Sequence, residues 1–177
     1  MTAGGPRSFL RILDKGSKSW LEETPEALAK RFLCSEQEEC SVYLVQSVQD
    51  EVEVAAAHFA TFGKSSVDRI HGLRISEDQI TDAGLSVNST PGSTGFKYID
   101  QRHFDIVGIT ESFNKLAELL VFELNKGEDL MRYIEPPLIK KFLIQFLVSH
   151  VADMEKPYQE KALKCLKLPT LPTSIAP

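Results

Sequence analysis

The chain has 177 residues, 42% hydrophobic and 25% charged, with a formal net charge of −5. That balance fits a domain able to bury about 70% of its unfolded surface and excludes global disorder. An acidic total also argues against nucleic acid as the main partner, because a phosphate backbone calls for a basic footprint.

In chain order, residues 8–15 read as a short helix: Ser8 can cap it, Phe9, Ile12 and Leu13 share a face, and Gly16 stops it. Thr24-Pro25-Glu26 opens a second helix that runs to about residue 33. Residues 41–48, SVYLVQSV, form the clearest strand, and its two largely apolar faces place it centrally in a sheet. A helix follows over 50–62, with Val52, Ala55, Ala56, Phe59 and Ala60 as its stripe and Asp50 as its cap.

From 68 to 110 the period becomes that of strands. Residues 69–75, 85–88, 96–99 and 103–109 read as strands, the last two joined tightly through Asp100-Gln101-Arg102. Ser76 with Gln79 is a capping-box pattern that opens a short helix ending at Gly84. Thr90-Pro91-Gly92 is a turn.

After Thr110 the chain reads as helical. Phe113, Leu116, Ala117, Leu120, Val121 and Leu124 keep helical spacing up to Gly127. A short helix is expected over 128–134, the most apolar helix over 137–154, and a last one over 158–166. The 137–154 helix is expected as the central spine of the domain, on which the sheet and the Phe113 helix both pack; the alternative is that one side of it is a subunit interface.

The expected fold is α+β: a mainly antiparallel sheet of about four to five strands (residues 41–48 and 68–110) packed on helices, with a helical C-terminal third. Residues 1–167 form one domain and 168–177 an extended tail.

His103 and Asp105 stand two apart on one strand and so share a face. A histidine oriented by a carboxylate is the unit of acid–base catalysis, and His71 could join from the 69–75 strand. The plainer alternative turns Phe104 and Ile106 inward and leaves His103 and Asp105 in solvent. The loop 86–95, SVNSTPGSTG, offers Asn88, Ser89, Thr90, Ser93 and Thr94 as ligand contacts, although no phosphate-binding glycine motif is present.

No metal and no cofactor are expected. An iron site using His103, Asp105 and His150 would need more strands, and no Cys or His pair has zinc spacing. Cys34, Cys40 and Cys165 are an odd set without a CxxC pair, which fits reduced thiols and a cytoplasmic location. Cys165, between Lys164 and Lys167, comes nearest to a reactive thiol setting. No run is long and apolar enough for a bilayer span.

No motif identifies a reaction. The leading expectation is a non-catalytic binding, regulatory or assembly module acting through protein–protein contacts, as a homo-oligomer, with neither nucleic acid nor membrane as partner. The alternative is a small hydrolase or transferase using the His103/Asp105 pair.

Overall fold

Ser8–Leu13 is a strand, β1, rather than the short helix that Ser8 and Gly16 suggest. Its apolar residues satisfy both templates. In a strand, Leu10 and Ile12 supply one sheet face while Phe9 and Leu13 supply the other. Neighbours on both sides decide the matter, since β1 pairs antiparallel with Glu39–Val45 (β2) and with Ile70–Ser76 (β3). The computed structural model describes residues 6–13, 39–62, 67–92, 94 and 96–173, with only the backbone of Glu39 and Phe62. The helix expected over 24–33 lies outside the described residues.

Three further strands, Ser86–Ser89 (β4), His103–Val107 (β5) and Met131–Ile134 (β6), complete a six-stranded sheet. Its order is β4-β5-β2-β1-β3-β6, and every pairing is antiparallel. The clear strand of the sequence, β2, is central as expected. Two expectations reverse. Residues 97–100 form a single helical turn, with Phe96 making only an isolated bridge to Met154. Residues 131–134 form an edge strand on β3 instead of a helix. Gaining β1 and β6 and losing 96–99 accounts for six strands where about five were expected.

The helices are Val48–Phe62 (α1), Glu77–Asp82 (α2), Lys97–Asp100 (α3), Thr110–Asn125 (α4), Pro136–Ser149 (α5) and Lys156–Leu166 (α6). A 3-10 turn, Val151–Asp153, separates α5 from α6. One sheet face, with Leu10, Tyr43, Val45, Ile70 and Ile134, packs in the same core as α1. The other face, with Phe9, Val42, Ile75 and Ile106, packs with Ile80 of α2 and Phe113, Leu116 and Leu120 of α4.

The central element is α1, not the 137–154 helix. Residues 51–57 are buried without a break, because the sheet covers one side of α1 while α5 and α6 cover another. Ala55, Ala56, Ala57 and Ala60 keep it thin enough to sit between those layers. Its start lies earlier than Asp50. Ser47 Oγ accepts from the Asp50 N–H at 3.1 Å, and Asp50 Oδ2 accepts from the N–H groups of Ser47 (3.0 Å) and Gln46 (2.8 Å). This is a reciprocal capping arrangement with Asp50 inside the first turn. The helix expected over 137–154 stops at Ser149 and packs on α1 within the same chain, while α4 lies across the sheet from it.

Candidate functional site

The β2–β5 register sets Tyr43 opposite His103 and Ser41 opposite Asp105, and the β4–β5 register sets Asn88 opposite Asp105. Directly paired side chains share a face, so these residues form one patch on the α1 side of the sheet. His103 and Asp105 do share that face. They are not in solvent, however: His103 is 5% exposed, Tyr43 6% and Asp105 9%. Strand β5 is covered on both sides, so the plainer alternative of an outward polar pair does not hold.

The two residues are held by different neighbours. His103 Nδ1 lies 3.1 Å from the main-chain carbonyl oxygen of Thr90 and 2.8 Å from the Thr90 hydroxyl. The carbonyl oxygen only accepts, whereas the hydroxyl can give or take, so the carbonyl contact favours a proton on Nδ1. Asp105 Oδ1 accepts from Ser41 Oγ at 2.9 Å. No hydrogen bond or ion pair joins His103 to Asp105 or to Asp100. The group that orients the imidazole is therefore Thr90, at the end of the β4 hairpin.

Tyr43 meets the His103 ring edge-on, with centroids 5.3 Å apart and planes at 78°. Burial pushes its hydroxyl up to about 12; Arg11 opposes that shift, while Asp100 and Asp105 add to it. Arg11 itself donates to the Ser41 carbonyl at 2.7 Å. Asp100 accepts from the Thr94 N–H at 3.1 Å and from the Thr94 hydroxyl.

His71 does not join this group. It pairs with Leu13 and Tyr133 on the opposite face, its ring 5.2 Å from that of Tyr133. Strands β2 and β1 also separate β3 from β5, a distance of about 14 Å at normal strand spacing. Of the loop residues, Asn88 and Ser89 sit exposed on edge strand β4, Thr90 holds His103, and Thr94 is buried against Asp100. Ser93 lies outside the described residues.

Sequence reasoning missed Tyr43 and Ser41. Their only signal is that both polar groups fall on one alternating face of an otherwise apolar strand. It also missed a buried charge network. Glu51 and Glu53 of α1 are almost wholly enclosed. Glu51 accepts from Arg132 Nε at 3.1 Å, with Arg74 at 3.5 Å, and Arg102 bridges Asp50 (2.8 Å) and Glu53 (3.2 Å). The sequence cue is EVEV inside a helix, where two carboxylates fall among residues that must be covered.

Among the described residues, no group of three or more His, Cys, Asp or Glu side chains could hold a metal ion. His150 packs on Tyr98 and Phe146 and lies 3.5 Å from Asp153, within its own chain and apart from the His103 contacts. Burial pushes the Cys165 thiol up, with Lys164 and Lys161 opposing, so it is not a lowered-pKa nucleophile. No helix among the described residues is long and apolar enough to cross a membrane. No family model, curated protein or solved structure matches the chain.

Proposed function

We propose that this chain is a non-catalytic binding or assembly module acting through protein contacts, and that its partner is a second copy of itself. The observation that carries this reading is the β6 end of the sheet. Strand β6 pairs with β3 on one side, and no strand pairs its other side among the described residues. Tyr133 on that strand is 52% exposed, and Leu138 in the first turn of α5 is 47% exposed. A sheet edge carrying an exposed aromatic is a template for strand addition by another chain. Antiparallel pairing of β6 with its own copy about a two-fold axis is self-complementary and needs no second surface. Light scattering tests it. A dimer that dissociates on Tyr133→Lys supports the proposal, and a strict monomer at about millimolar concentration ends it.

A second reading is a small hydrolase or transferase with His103 as general base. It is supported by the Thr90 carbonyl, which favours the tautomer with a basic Nε2. Loss of a detected activity in His103→Ala, with folding intact, supports this reading. Unchanged activity removes it.

A further inference from the structure

The main-chain groups of β6 point alternately to β3 and to the free edge, and their phase is fixed. The Arg74 N–H donates to the Leu130 carbonyl at 2.8 Å, one step beyond the Leu73↔Met131 partners. Hydrogen-bonded and non-hydrogen-bonded pairs alternate along an antiparallel ladder, so Arg132 and Ile134 turn their N–H and C=O groups toward β3. Met131 and Tyr133 turn theirs to the free edge. The β1–β3 ladder agrees. There the Glu77 N–H donates to the Arg7 carbonyl at 2.9 Å, which commits the main-chain groups of His71 and Leu73 to β1. His71 and Tyr133 are therefore a non-hydrogen-bonded pair, with ring centroids 5.2 Å apart.

We propose that β6 pairs with β6 of a second copy in one register, with Tyr133 on the two-fold axis. This rests on the self-association reading and adds to it which residues meet. Antiparallel self-pairing has to join groups that face outward on both copies, so the axis passes through one residue of β6. An axis at Arg132 sets two guanidinium-bearing residues opposite each other in the closer kind of pair, where like charges destabilise. An axis at Ile134 rests the ladder on the Glu135 carbonyl, which already accepts from the Leu138 and Ile139 N–H groups at 3.1 and 3.3 Å. An axis at Met131 joins Tyr133 to Asp129, which lies outside the strand. Tyr133 on the axis avoids all three. Its N–H and C=O then bond those of its copy, the two rings stand side by side, and Arg132 faces Ile134 of the other copy. The opposite sheet edge, β4, carries exposed Ser86, Asn88 and Ser89 and no aromatic residue. A two-fold contact uses each β6 edge once, so assembly stops at two copies.

The test uses equal amounts of isotope-labelled and unlabelled full chain, mixed where light scattering reports a dimer. Isotope-filtered NMR spectra are expected to show the Arg132 Hα of one copy against the Ile134 Hα of the other. The Tyr133 amide should exchange about ten-fold more slowly in the dimer than in the diluted monomer. The Arg132 and Ile134 amides, bonded to β3 in both states, should not change. A contact between the two Arg132 Hα atoms overturns the register and leaves self-association through β6 standing. A dimer with neither contact nor slowed exchange at β6 overturns the use of this edge. Larger assemblies overturn the closure at two, and a strict monomer ends both readings.

Discussion

Glu51 of α1 and Arg132 of β6 meet at 3.1 Å, Oε1 to Nε, with the Glu51 side chain 2% exposed. Arg74 of β3 approaches the same oxygen at 3.5 Å. The pair ties the central helix to the edge of the sheet. A buried ion pair adds little over a well-packed apolar pair, but removing one partner leaves a charge enclosed. Arg132→Ala is expected to cost about 2–4 kcal/mol, less than the loss of all pairing because Arg74 remains. Urea unfolding of the variant measures it, and a cost below about 0.5 kcal/mol would contradict the burial of Glu51.

Gly72 sits on β3 opposite Ile12, and a Cβ placed there would lie 2.7 Å from Leu10 Cδ1. Leu10 is fully buried between the sheet and α1, so it has little room to yield. Gly72→Ala should therefore destabilise by about 1–3 kcal/mol through overpacking. Were β1 the short helix that Ser8 and Gly16 suggest, this close approach would be absent and the substitution would be neutral. Thermal unfolding separates the two.

Partial burial pushes the Asp50 carboxyl up, but the Gln46 N–H, the Arg102 guanidinium and the Ser47 side chain and N–H together hold it below the usual carboxylate range. A lowered folded value means stability that is present above the unfolded value and is lost as pH falls through the folded one. Unfolding midpoints should decline as the pH falls through and below the usual carboxylate range. Asp50→Asn keeps an oxygen for the cap but removes the titration. It should lower the midpoint at neutral pH and flatten that acid limb.

The alkaline limb has the opposite origin. Burial pushes the Tyr43 hydroxyl from 10.0 to about 12, so its contribution is whole below the unfolded value and is lost as pH rises through the folded one. Stability should fall between about pH 10 and about pH 12, and Tyr43→Phe should soften that fall. It should not abolish it, because burial beside Glu53 raises Tyr98 as well. Stability at neutral pH should change little, since no hydrogen bond of the Tyr43 hydroxyl is lost among the described residues. Paired denaturation series at neutral and alkaline pH check both statements.

The separation between His103 and Asp105 also bears on how the chain can be read. Period two alone puts them on one face, and the register agrees. Nothing in the spacing could say that the pair would be buried on that face. Nor could it say that the imidazole is turned by a residue 13 positions earlier in the chain. The same limit explains His71. Its strand was readable, but its face and its place in the sheet follow from β1, which looked like a helix.

By itself the sequence determined the class of the fold, the central place of β2, and the helices over α1, α2, α4, α5 and α6. In the four longer helices apolar periodicity points one way over enough residues, and in short α2 the Ser76–Gln79 capping box supplies the signal. Only the tertiary structure decided β1, β6 and the single turn at α3. Runs of four to six residues satisfy strand and helix patterns equally, and the partner that pairs with them settles the form. It also decided that α1 rather than the most apolar helix is central. Hydropathy measures how much surface a helix must hide, not which neighbours hide it. Glu51 and Glu53 can lie at the centre only because three arginines, distant in sequence, arrive there with them.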